Sequence, residues 1–181
     1  MPVTVRVWKM DLAKGRVGHA SVETPEHYMS FWPTGAADGA ISQFFQQRTS
    51  ASLTYEDDLK QEESEPDVVI KLSKLDTDAM NKKYLELSSR KWAIFGESKI
   101  VSAVSQISTG KSDDTDSCAS MALKVLEAGG IRKLLDFKER VRIDAGLPVV
   151  PDFIADLAKH ALANEEKIHS GPDKKFSCTI L

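Results

Sequence analysis

The stretch DSCASMALKVLEAGG, residues 116–130, places one of the chain's two cysteines where a helix is expected to begin. Asp116 or Ser117 supplies an N-cap oxygen, and Gly129 and Gly130 end the helix. A helix N-terminus offers partial positive charge and unpaired N–H groups, both of which favour a thiolate over a thiol. Cys118 is therefore a candidate nucleophile, and the backbone amides of Cys118 and Ala119 are candidate donors to the oxyanion formed when a thiolate attacks a carbonyl. The competing reading is a small buried apolar residue, since free cysteine is among the most buried residue types.

A nucleophile of this kind needs a base, and the chain has histidines at positions 19, 27, 160 and 169. His27 falls in an expected turn, and His160 and His169 lie on a polar C-terminal helix or just past it. His19 differs, because it follows Gly18 inside an expected strand, where a neighbour without a side chain leaves room for another group to approach. The segments VTVRVW (3–8), VGHASVET (17–24) and YMSFWP (28–33) have strand character and suggest an antiparallel meander. With Pro25 and Glu26 as the second hairpin's loop, Ser21 opposes Ser30 and His19 opposes Trp32, and His19, Ser21 and Glu23 share one face.

From Thr34 to Pro66 the chain shows little periodicity and ends in the acidic run YEDDLKQEESEPD, which reads as a long surface excursion with a short helix around ISQFFQQ (41–47). DVVIKL (67–72) reads as a short buried strand, and Asp76 as the N-cap of a helix toward Ser89. ESKIVSAVSQIS (97–108) has helical spacing with valines that also suit a strand. PDFIADLAKHALANEEKIH (151–169) is the last helix. The expected class is α+β, an antiparallel sheet with packed helices, in a single domain over 1–168 followed by a flexible tail over 169–181.

At 181 residues and 41% hydrophobic, the chain can bury one ordinary core. A net charge of −3 gives no reason to expect nucleic acid, which asks for a concentrated basic surface. The apolar runs are too short to span a bilayer, and the start MPVTVRVWKMD lacks a secretory h-region. Two cysteines build no disulfide framework and show no zinc-ligand spacing, so neither metal nor cofactor is expected. SQISTGKS (105–112) approaches a phosphate-binding loop, but Ser105 stands where its first glycine belongs.

GHASVET followed by YMSFWP, then YEDDL, PDVVIKLSKLD and the DSCASMALKVLEAGG helix, in that order, resemble a bacterial group of circularly permuted papain-like cysteine proteins. Permuted papain-like relatives of that kind include NlpC-like proteins, lecithin retinol acyltransferase and the Rho-inactivation domains of bacterial toxins. Papain-like enzymes place cysteine before histidine; permuted relatives reverse them, as His19 and Cys118 do here. The resemblance implies a Cys118 thioester formed with His19 as base, on an amide or ester of an unknown protein or lipid. It also implies an acid between the two to orient the imidazole: Asp58 is the first choice, inseparable at this stage from Asp57, with Ser30, Ser21 and Glu23 as local alternatives. Ser117 departs from the asparagine that usually precedes the cysteine.

The chain ends FSCTIL, which resembles a prenylation box at Cys178, and a terminal leucine favours geranylgeranyl. Prenyltransferases of this type are eukaryotic, so a bacterial chain with such a box implies delivery into a host cell without an ordinary signal peptide. There a host prenyltransferase and host membrane would be its partners. The alternative function is a non-catalytic prenylated interaction module, in which Cys118 would be buried, remote from His19 and replaceable, with Trp8, Trp32 and Trp92 lining a contact surface.

Overall fold

A computed structural model of the chain describes residues 2–11, 13, 15–34, 50–93 and 115–169. The segments expected as helical around 41–47 and as helix or strand over 97–108, and the lipidation expected at Cys178, lie outside these residues.

Strand β1 (Val3–Trp8) sits inside an antiparallel sheet ordered β3-β2-β1-β6, with β2 at His19–Glu23, β3 at Tyr28–Met29 and β6 at Val68–Leu72. Alternation in β1 sends Val3, Val5 and Val7 to one side, where the register sets them beside Val22 and Ala20 of β2 and Ile70 and Leu72 of β6. All of these side chains are buried. The other face carries Arg6, Trp8, His19, Ser21 and Glu23. DVVIKL is an edge strand with one face in the core and the other in solvent, since Val69 and Lys71 are exposed. That corrects the expectation of a buried strand, since only one of its faces lies in the core.

The second hairpin has the expected register, with Val22 opposite Met29 and Glu23 opposite Tyr28. It stops sooner than expected: Trp32–Pro33 forms a separate strand, β4, which leaves to pair with β5 (Ser50–Ala51), so Ser21 and Ser30 are not ladder partners.

Two helices cover the valine face, and a third packs against one of them. Helix α2 (Thr77–Leu87) starts where expected, with Asp76 accepting from the Ala79 amide. Helix α3 (Cys118–Ala128) packs against β2 and α2, and α5 (Pro151–His169) lies along β1 and β6. Their inward residues, among them Leu126, Ile154, Leu157 and Ala161, close the core. Between them run a short 3-10 turn (Ile131–Leu134) and helix α4 (Phe137–Asp144), neither expected from the sequence.

The opposite face is covered by α1 (Tyr55–Glu62), which corrects the reading of the acidic run as a surface excursion. Thr54 caps it by accepting from the Asp57 amide, and Asp57 returns a carboxylate to the Thr54 amide. Apolar periodicity could not have shown this helix, because its one buried residue is Asp58.

Gly18, at the entry to β2, has φ +82°, and a Cβ there would stand 2.7 Å from the Trp8 carbonyl oxygen and 2.9 Å from the Met10 nitrogen. The group admitted by the missing side chain is the backbone at the end of β1. Gly15 has a similar φ of +72° but open space around it. In urea titrations Gly15→Ala is expected to cost about 1 kcal/mol for its backbone conformation alone, whereas Gly18→Ala costs at least ~2 kcal/mol because β1 must also move. Equal costs would show that the close approach to β1 carries no weight.

Candidate active site

Position 19 opens β2 directly across the ladder from Trp8, and the imidazole lies between two indoles. Its ring is 5.6 Å from that of Trp8 and 4.5 Å from that of Trp32, the latter nearly parallel, and the residue is 1% exposed. An imidazole so buried needs hydrogen-bond partners. Nε2 lies 3.1 Å from Asp58 Oδ2 and 3.0 Å from Ser30 Oγ. The Ser30 hydroxyl donates to Asp58 Oδ1 at 2.7 Å, so toward His19 it presents a lone pair and Nε2 carries the proton. Cys118 lines the same cleft as His19 and acts on the imidazole by charge and hydrogen bonding to raise its pKa, and Nδ1 is the ring nitrogen not engaged by Asp58 and Ser30.

Asp58 hangs from α1 over the polar face of the sheet and accepts from four side chains. Besides His19 and Ser30, these are the Tyr28 hydroxyl at 2.6 Å to Oδ2 and the Trp32 indole at 2.7 Å to Oδ1. Tyr28, Ser30 and Trp32 are alternate residues, so one face of an extended segment aims three donors at one carboxylate. Burial alone would raise the Asp58 pKa, yet the hydrogen bond and charge of His19 and the hydroxyls of Tyr28 and Ser30 hold it below the ordinary carboxylate range. Burial and the hydrogen bond to Asp58 push the Tyr28 phenol up, which keeps it a donor.

The structure separates the two acids that the sequence left equivalent: Asp57 is spent on the exposed helix cap and Asp58 on His19. Ser30 is in contact with the pair. Ser21 is one step removed, sharing a 2.8 Å hydrogen bond with the Tyr28 hydroxyl, and Glu23 pairs with Arg6 at 2.7 Å, away from the imidazole. His160 sits 3.3 Å from Glu139 beneath α4.

Cys118 is the first residue of α3 and is partly buried. Ser117 is the N-cap: its hydroxyl accepts from the Ser120 amide at 3.1 Å, and Ser120 Oγ accepts from the Ser117 amide at 2.8 Å. The Met121 amide already bonds the Ser117 carbonyl. The amides left over in this first turn are those of Cys118 and Ala119, neither of which has an acceptor among the described residues. Ser117 thus serves the helix cap, and oxyanion contacts would fall to backbone.

Asp116, the other N-cap candidate, does not cap the helix; it is fully buried two residues before the cysteine, in an ion cluster the sequence did not indicate. Its Oδ1 accepts from Ser120 Oγ at 2.7 Å and lies 2.9 Å from Lys124 Nζ, while Oδ2 lies 2.9 Å from Arg90 Nε. Two cations offset one carboxylate, so the helix start keeps its positive character despite the adjacent acid. The backbone there is also held by β8 (Thr115–Asp116), which pairs in parallel with β7 (Lys91–Trp92).

His19 and Cys118 open onto a cleft of about 970 Å³. Its walls are largely apolar, with Phe31, Trp32, Trp92, Val149 and Val150 among them, and Glu62 and Arg16 at the polar side. Arg16 is engaged by Asp67 at 2.7 Å, whereas burial holds the Glu62 carboxyl above its ordinary pKa, with the charges of His19 and Arg16 only partly opposing this. Among the described residues there is no cluster of potential metal ligands.

The His19 pKa is pushed up to about 9: burial works to lower it and is outweighed by the Cys118 charge, the hydrogen bonds to Asp58 and Cys118, and the Asp58 charge. No family model, curated protein or solved structure matches the chain.

Two consequences can be measured. Asp58→Asn turns one acceptor into a donor facing donors, and is expected to cost about 3 kcal/mol in urea titrations, while Asp57→Ala, which removes half of a cap, costs at most ~1 kcal/mol. For His19, a folded-state pKa above the ordinary 6.5 adds stability that is whole below that pH and lost as pH rises through about 9. Wild-type stability should therefore fall across that window, and the fall should shrink in Cys118→Ala, which removes one of the groups that raise the His19 pKa; an unchanged profile would break the assigned coupling.

Proposed function

We propose that the chain is a circularly permuted papain-like thiol hydrolase or acyltransferase, acting on an amide or ester through a Cys118 thioester. The observation that carries this reading is the arrangement of one imidazole: Nε2 held by Asp58 and Ser30, the other side given to a cysteine at a helix N-terminus, all at the wall of one cleft. The chain order His19, Asp58, Cys118 is that of the permuted group. An interaction module would leave Cys118 buried and remote from His19; the hydrolase or acyltransferase reading is supported by a partly buried Cys118 that lines the same cleft as His19.

In the proposed cycle His19 Nδ1 takes the thiol proton and the Cys118 sulfur attacks the substrate carbonyl carbon. The amides of Cys118 and Ala119 receive the oxyanion. When the tetrahedral adduct collapses, the bond to the leaving group breaks and His19 returns the proton to it, leaving an acyl thioester. His19 then deprotonates water or an acceptor nucleophile, which attacks the thioester and frees the sulfur, and the proton ends on Cys118. Asp58 stays ionised throughout, holding the tautomer and the ring orientation and stabilising the imidazolium. Stacking on Trp32 favours the same charged form.

At pH 6.5 Cys118 should react with iodoacetamide about tenfold faster than free cysteine, and His19→Ala should remove that advantage. Incubation with a panel of activated esters and thioesters should leave an acyl mass on Cys118, read by intact-protein mass spectrometry and absent from Cys118→Ala. Ordinary thiol reactivity in both wild type and His19→Ala would rule out the proposed chemistry.

A further inference from the structure

Helix α4 is attached on one side and bare on the other. Glu139, 3% exposed, and Ile143 face inward, where Glu139 meets His160 and Ile143 packs against the core. Phe137 is 75% exposed and Val141 47%, one turn apart on the outward side, and Leu147 just beyond the helix is 57% exposed. Around them stand the exposed Lys133, Lys138, Arg140 and Arg142. None of these four carries a salt bridge among the described residues: Arg140 Nε donates to the Asp136 carbonyl, and the Arg142 guanidinium lies 4.5 Å over the Phe153 ring. The acids nearby are committed, Asp136 to the N-cap and Asp144 to Arg132 at 2.8 Å. In a chain of net charge −3, this face concentrates free cations around three large exposed apolar side chains.

We propose that this face docks on an anionic phospholipid surface, with Phe137, Val141 and Leu147 entering the interfacial layer and Lys133, Lys138 and Arg140 meeting lipid phosphates. Single apolar side chains ringed by cations suit a bilayer interface, which accepts them without complementary pockets, better than a protein partner, which must supply one for each. Association is peripheral, since among the described residues no helix is long and apolar enough to cross a membrane. From Leu147 the chain runs directly into Val149, Val150 and Pro151, which line the cleft beside Cys118, so docking here brings the cleft wall to the lipid surface. The inference is independent of the cysteine chemistry.

The test is co-sedimentation of the full, unlipidated chain with phosphatidylcholine vesicles, with and without phosphatidylserine, at low and at molar salt. Binding is expected to require phosphatidylserine and to vanish in molar salt. The double variant Lys138→Gln, Arg140→Gln should lower partitioning about 30-fold, and Phe137→Ser about tenfold without changing the salt dependence. All three side chains are exposed, so thermal melts matching the wild type are expected and serve as the folding check. Absence of binding by the folded wild type overturns the proposal and leaves the face to an acidic protein partner. Binding that needs no anionic lipid, or that both variants retain in full, overturns it equally.

Discussion

One buried carboxylate ties the polar face of the sheet together. Asp58 has no exposed surface and collects donors from His19 on β2, Tyr28 on β3, Trp32 on β4 and Ser30 in the link between the last two, from its place on a separate helix. A buried anion is tolerable only when its lone pairs are filled, and each of these donors is itself a polar group that burial would otherwise penalise. The carboxylate and its donors therefore justify one another. Without Asp58, the Trp32 indole N–H would lose its partner, the Tyr28 and Ser30 hydroxyls would each lose one, and His19 would lose the carboxylate that fixes its tautomer.

A second buried acid does comparable work on the other side of the imidazole. Asp116 ties the start of α3 to Arg90 and Lys124 and, through Ser120, orders the capping box that consumes two backbone amides and frees two others. The two carboxylates thus hold the two ends of the His19–Cys118 pair from opposite sides: Asp58 positions the base and Asp116 the turn that presents the sulfur.

Charge is also sorted along the chain. The acidic run supplies α1, with Asp58 turned inward and Glu62 at the cleft, while the basic stretch from Arg132 to Arg142 supplies the free cations of α4. The two lie apart in sequence, with the cleft residues Val149 to Pro151 directly following the basic one. A modest net charge for the whole chain therefore conceals two local surfaces of opposite sign.

Much of the framework was legible in the sequence because it follows local rules. Valines at alternate positions in 3–7 mark β1, Pro25 and Glu26 set the hairpin register, and Asp76 and Ser117 are capping residues whose effect is confined to one turn. Cys118 and His19 stood out as two residue types in suitable local settings, and the permuted order suggested that they meet. What the sequence could not show is which acid belongs to the site, because Asp57 and Asp58 are chemically alike and differ only in which way a helix turns them. That helix has no apolar stripe, its buried side chain being the carboxylate itself, so hydrophobic periodicity is silent about it. The ion cluster around Asp116 and the bare face of α4 are likewise invisible locally, since burial and exposure depend on what other segments bring alongside. Local backbone chemistry determined the elements and their ends; only the tertiary structure decided which polar groups are out of water, because desolvation is a property of the assembled fold and not of any one stretch of chain.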